Sequence, residues 1–107
     1  IHMLPKRHIQ DLSQLTDAEA DDLAVQYKKL LLAVDRLYPT PTPYISAWHQ
    51  APKVENRDDI RLMLQITSPR RAEDKLKYLA GSESAMGAFV GDVAPEDTAA
   101  RIREVLK

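Results

Sequence analysis

There is no cysteine in this 107-residue chain. That excludes disulfides, thiolate zinc ligands and a cysteine nucleophile. Glycine is scarce as well. The three glycines are scattered, so no Gly-rich phosphate cradle can form. Histidine is limited to His2, His8 and His49, with no His-x-x-x-His spacing to hold a metal locally. Neither sign of charge dominates: 15 Lys and Arg stand against 16 Asp and Glu, a formal net charge of -1. A nucleic-acid binder would show a basic footprint, and this chain has none. No apolar run approaches the roughly 20 residues of a membrane span, and no secretory leader is visible. The expectation is therefore a soluble, cytoplasmic protein that binds neither nucleic acid nor membrane.

What is present is an ordinary globular balance, 44% apolar and 29% charged. A chain of this length is enough for one domain and buries roughly 65% of its unfolded surface. Residues 1–3, Ile1-His2-Met3, read as a cloning-site remnant followed by a start, so His2 is set aside from functional reasoning. Residues 4–107 are then the domain proper.

The clearest element spans residues 16–38. Thr16 and Glu19 have the spacing of a capping box, in which each side chain accepts from the other residue's backbone N–H. Behind it Leu23, Tyr27, Leu30, Leu31, Val34 and Tyr38 recur at helical spacing, with charged residues mostly opposite. Pro39, Pro41 and Pro43 then stop the helix and extend the chain. Strands are expected at 44–50 and 59–67. In the second, Ile60, Leu62, Leu64 and Ile66 alternate with Arg61, Met63, Gln65 and Thr67. Residues 52–58, with Lys53, Glu55, Asn56 and Arg57, suit a solvated hairpin loop joining an antiparallel pair. Residues 75–80 read equally as a short strand or a helical turn. Gly81 and Gly87 bracket a bend. Pro95, followed by Glu96 and Asp97, opens a final helix with apolar Ala99, Ile102, Val105 and Leu106. The element order predicts an α+β fold: an antiparallel sheet with a long amphipathic helix and a C-terminal helix.

One segment is recognisable. Pro43-Tyr44-Ile45-Ser46-Ala47-Trp48-His49-Gln50-Ala51-Pro52 closely resembles the Pro-Tyr-x-x-x-Trp-His-x-Ala-Pro strand of galactose-1-phosphate uridylyltransferases. Upstream, Leu15-Thr16-Asp17-Ala18-Glu19 is similar to the family's Leu-Thr-x-x-Glu helix start. Downstream, Ser68-Pro69-Arg70-Arg71 through Gly81-Ser82-Glu83 resembles its Arg-containing strand end and Lys-aromatic-x-x-Gly-x-Glu segment. The resemblance covers nearly the whole chain, in order, and matches the C-terminal part of the family.

That resemblance implies half of a duplicated histidine-triad-like fold, usually paired into a homo-oligomer. It implies uridylyl transfer between UDP-glucose and galactose-1-phosphate, with a histidine of a His-Pro-His motif carrying UMP. That motif is not in this sequence, so no catalytic residue is expected here. The expected partners are the N-terminal catalytic half, a UDP-hexose and a hexose-1-phosphate.

By position, the resemblance implies that Lys77, Tyr78 and Glu83 bind substrate. A carboxylate at 83 suits sugar hydroxyls because it accepts bidentate hydrogen bonds. Against this stands the plain reading of Lys77 and Glu83 as solvated surface charges. Ser82 and Phe89 depart from the family's usual tyrosine and glutamine. His49 matches a family histidine that in some members binds a structural metal. Here no His-x-His follows it, so one imidazole is left, and the family's zinc and iron sites are incomplete; no cofactor is expected in this chain. The other reading of His49 is a histidine held by sheet hydrogen bonds. Arg70 and Arg71 form either a phosphate clamp or a solvated pair. Trp48 and Tyr44, on one strand face, suit packing or an inter-half interface better than stacking on uracil. Two alternatives to the uridylyltransferase fragment stand: a non-catalytic binding module, and a fragment of a related dinucleoside polyphosphate phosphorylase.

Overall fold

A computed structural model of the chain describes residues 1–53, 57–91 and 93–107. They form an α+β arrangement of β1 (His2–Met3), α1 (Asp17–Asp35), β2 (Ile45–His49), β3 (Met63–Thr67), β4 (Arg70–Ala72), β5 (Lys75–Leu76), α2 (Gly81–Met86) and α3 (Pro95–Val105). The chain divides into two compact units, Ile1–Tyr27 with Tyr44–Ser68, and Lys28–Pro43 with Pro69–Lys107.

The first unit is built on an antiparallel sheet of order β1-β3-β2. Trp48 lies opposite Leu64 and Ser46 opposite Ile66, so these four residues share one face. His49, Ala47 and Ile45 share the other with Met63, Gln65 and Thr67. Leu62, Leu64 and Ile66 are buried, as their alternation predicts, and Ile9 joins them. Ile9 and Gln10 lie alongside as a strap: the Leu62 N–H donates to the Ile9 carbonyl at 2.7 Å and the Ala51 N–H to the Gln10 carbonyl at 2.9 Å. Residues 1–3, expected as a remnant, take part in the sheet: His2 pairs with Gln65 and Met3 with Leu64.

The capping box at the start of α1 is complete. The Thr16 N–H donates to Glu19 at 2.9 Å and the Glu19 N–H to the Thr16 hydroxyl at 3.2 Å. Arg7 adds a two-pronged grip on the same carboxylate, at 2.9 and 2.7 Å. Such bidentate pairs are among the stronger hydrogen-bonded contacts. Hydrogen bonding to Arg7, then to the Thr16 amide, holds the Glu19 carboxyl pKa at about 2. Tyr27 in α1 meets Trp48 edge to face at 6.4 Å, and its hydroxyl shares a 2.8 Å hydrogen bond with Ser46. The ring arrangement sets a positive edge against a negative face, and the hydroxyl gives the partly buried ring a polar partner.

Two expectations need correcting. Helix α1 ends at Asp35 rather than near 38, because its last turn tightens: Arg36 and Leu37 donate to the carbonyls of Ala33 and Val34, three residues back. The second strand starts at Met63 rather than 59. A 3₁₀ turn, Arg57–Asp59, occupies its expected beginning, where Arg57 pairs with Asp11, and Ile60 is left exposed. Positions 54–56 of the expected hairpin loop lie outside the described residues.

In the second unit, Leu30, Ala33 and Val34 make one buried face of α1. The ambiguous stretch at 75–80 opens as strand, β5, which pairs antiparallel with β4 through a register irregularity. Helix α3 begins at Pro95 as expected. Its Arg101 lies over the Tyr38 ring at 4.9 Å and donates to the Leu37 carbonyl at 2.8 Å. The cation sits on the ring's negative face and covers the polar end left by α1.

Candidate functional site

Between β5 and α3 the backbone folds back on itself through residues 77–90. The Lys77 N–H donates to the Pro69 carbonyl at 2.6 Å, which ties the start of this loop to the β4 side. At the turn sits α2, six residues long and without an apolar period to announce it. Glu83 is its third residue, and its carboxylate accepts the Ala80 N–H at 2.7 Å. That is half of a capping box, with an alanine as the N-cap. Gly87 ends the helix in the left-handed region, φ 64°, with its N–H on the Glu83 carbonyl at 3.2 Å. Glycine is the usual residue at such a helix end, since it has no Cβ to resist the turn.

The same carboxylate accepts the Val90 N–H at 3.0 Å and an ion pair from the Lys77 ammonium. Lys77 in turn donates to the Val90 carbonyl. The Glu83 side chain has no exposed surface, and that of Lys77 is 21% exposed. The Lys77 hydrogen bond first, then the Ala80 and Val90 amides, hold the Glu83 carboxyl pKa at about 2 against the opposing pull of burial. The structure therefore brings Lys77 and Glu83 together, and neither is the solvated surface charge of the plain reading. Tyr78, between them in sequence, turns outward and is 87% exposed. Leu79, Met86, Phe89 and Val90 are exposed on the same loop.

His49 belongs to the first unit, on the sheet face away from Leu64. Its Nε2 shares a 2.8 Å hydrogen bond with Gln65 Oε1, a diagonal neighbour across β2 and β3. Diagonal pairs of this kind are within reach of long side chains. A transition-metal site takes about four donors. No group of three or more His, Cys, Asp or Glu suited to a metal occurs among the described residues. The Arg70 guanidinium faces backbone carbonyls, Glu73 at 2.5 Å, Pro41 at 3.1 Å and Ala72 at 3.3 Å, and Arg71 reaches the Arg70 carbonyl at 3.1 Å.

The first unit also has a cleft of about 600 Å³, lined by Trp48, Leu62 and Leu23 together with the Arg7–Glu19 pair. It holds none of the residues singled out for substrate. Nothing in the sequence marks it, since its lining is drawn from stretches far apart in the chain: residues 3–7, 15–26, Trp48 and Leu62. No helix among the described residues is long and apolar enough to cross a membrane.

The architecture is that of a uridylyltransferase domain. A solved structure described as a uridylyltransferase superposes with a TM-score of 0.90 and 41% identity, over 98% of this chain and 33% of that one. The family described as galactose-1-phosphate uridyl transferase, C-terminal domain, matches residues 1–106, and the chain belongs to it. The galactose-1-phosphate uridylyltransferase of Rattus norvegicus is 39% identical over 94% of this chain and 28% of its own length. That of Thermotoga maritima is 32% identical over 97% of this chain and 33% of its own length. The chain thus spans about a third of the length of these relatives.

Proposed function

We propose that this chain is the C-terminal part of an enzyme that moves UMP between UDP-glucose and galactose-1-phosphate, and that it works together with an N-terminal half carrying the nucleophile. In that reaction a histidine nitrogen attacks the α-phosphorus of UDP-glucose. The N–P bond forms as the P–O bond to glucose-1-phosphate breaks. Galactose-1-phosphate then takes the uridylyl group through its own phosphate oxygen and frees the histidine. The observation that carries this reading is the family match over residues 1–106, coupled with a histidine inventory of His2, His8 and His49 and no His-Pro-His.

The domain's own contribution is the 77–90 loop, which faces the hexose phosphate and contains Lys77, Tyr78 and Glu83. The chain makes one half of a duplicated histidine-triad-like fold and assembles as a homo-oligomer. Exposed Tyr44 and Ile45, at the start of β2, support a covered surface there. The proposal puts the assembled enzyme in the cytoplasm. His49 serves as a sheet residue paired to Gln65, not as a metal ligand.

The test is a coupled assay for glucose-1-phosphate release from UDP-glucose plus galactose-1-phosphate. The pure 107-residue chain is expected to give no turnover, and turnover is expected to appear when an N-terminal half bearing His-Pro-His is added. Activity of the chain alone, or none with the added half at saturating concentrations, overturns the reading.

A further inference from the structure

Helix α1 turns one side to the core and the other to solvent. Leu30, Ala33 and Val34 are buried on the inner side. Ala18, Val25 and Leu32 are exposed on the outer one, Val25 at 51% and Leu32 at 44%. These three stand seven residues apart, about two turns, so they form one stripe roughly 21 Å long. Charges border the stripe in a fixed order. Asp21 and Asp22 lie toward its N-terminal end, Lys28 and Lys29 toward its C-terminal end, and all four are exposed. Asp22 accepts from the Gln26 side chain at 3.1 Å, which leaves its carboxylate with lone pairs for a further donor.

Turned end for end about Val25, this face complements itself. In an antiparallel pair, residues equally far on either side of Val25 meet across the contact. Asp22 then faces Lys28 and Asp21 faces Lys29, each twice by symmetry, so all four charge contacts join opposite signs. Ala18 faces Leu32, a small residue against a large one, and Val25 meets its own copy on the two-fold axis. A parallel pairing of the same face would set acid on acid and lysine on lysine. One patch serving both partners is the pattern of an isologous contact. We infer that the outer face of α1 is an interface for a second copy of this chain, packed antiparallel about Val25. The inference goes beyond the function proposed above and does not rest on it, since it uses only the continuous helix Asp17–Asp35.

Sedimentation equilibrium of the 107-residue chain should give a dimer whose dissociation constant rises with salt, as screened charge pairs require. Lys28→Glu with Lys29→Glu sets acid against acid at every charged contact. It should raise the dissociation constant at least about tenfold. Asp21→Lys with Asp22→Lys should do the same, with lysine against lysine. Mixed in equal amounts, the two variants regain opposite signs at all four contacts and should form a heterodimer. A wild-type chain that stays monomeric at about 1 mM, or a dimer indifferent to both double variants, overturns the inference. The wild-type measurement stands even if a variant does not fold.

Because the chain has no cysteine, single introduced cysteines report which residues meet. Val25→Cys should cross-link to its own copy under mild oxidation, since the two lie together on the axis. Ala18→Cys should cross-link to Leu32→Cys in a mixture but not to itself, because its own copy lies about 21 Å away along the helix. Self-linkage of Ala18→Cys would mean parallel packing and overturn the inference. The oxidation is then repeated with an N-terminal half added. Persistence of the Val25→Cys link in that assembly sustains the interface, and its loss would assign the face to the N-terminal half and overturn it. Should the assembled halves prove inactive, the proposed function fails while the sedimentation and cross-linking of the chain still decide the role of this face.

Discussion

Ile1–Tyr27 with Tyr44–Ser68 rests on apolar burial: Ile9, Leu62 and Leu64 have 1% exposure or less, and Ile66 packs with them. Lys28–Pro43 with Pro69–Lys107 is held differently. Its buried apolar residues among those described are Leu30, Ala33 and Val34, all on α1, and beyond the helix its buried residues are Thr42 and Glu83, the latter a carboxylate served by two amides and an ammonium. The second unit also shows its large apolar side chains to the outside, Tyr78, Leu79, Met86, Phe89 and Val90. The contrast teaches that a segment can be shaped without using its hydrophobic residues for the shaping. A polar brace fixes the backbone and leaves the apolar side chains for contact with something else.

The sharpest way to break this contrast is to remove apolar volume from the first unit. Leu64 has no exposed surface. Leu64→Ala should cost about 3 kcal/mol of global stability, from lost transfer energy and the cavity left behind. Urea unfolding followed by circular dichroism checks it, and a loss below about 1 kcal/mol would mean that the sheet core is not what holds this unit. A smaller effect is expected at the α1 cap. Thr16→Ala removes the hydroxyl that accepts the Glu19 N–H. It should cost about 1 kcal/mol in the same assay.

The smallest expected effect separates two carboxylates held well below the usual range. Glu19 and Glu83 are each depressed from 4.5 to about 2. A depressed carboxyl contributes stability that is present above its ordinary value and lost as pH falls through its folded value. Both contributions therefore fade between about pH 4.5 and 2. Their surroundings differ. Arg7 and Glu19 are 48% and 32% exposed, whereas the Glu83 side chain is fully enclosed. Raising salt to about 1 M should move the Glu19 midpoint upward and leave that of Glu83 in place, read from side-chain carboxyl shifts in a pH titration. Equal movement of both would erase the distinction between exposed and buried pairing.

Sequence reasoning reached the parts of this molecule that local rules govern. The Thr16–Glu19 box, the alternation through Leu62, Leu64 and Ile66, and Pro95 at the head of α3 each follow from the spacing of a few neighbouring residues. It missed what depends on closure over longer distances. Helix α2 is too short to show a period, and its capping glutamate is disguised by an alanine at the N-cap. Lys77 and Glu83 stand six apart, a spacing at which residues on one helix do not pair, so their meeting comes from the strand-to-helix turn between them. The His49–Gln65 contact needed the register of two strands, and the turn at 57–59 needed Asp11, far upstream, to draw Arg57 in.

The braced loop also divides its residues by how freely they can change over generations. Glu83 and Gly87 carry the shape, one through its three donors and the other through a left-handed backbone that most side chains resist. Tyr78, Leu79, Met86 and Phe89 carry the outer surface and hold none of those bonds. Mutation can therefore wander across the outer set, altering what the loop touches, while the inner set keeps the frame constant. A lineage with such a loop can try new contacts without first surviving the loss of its fold.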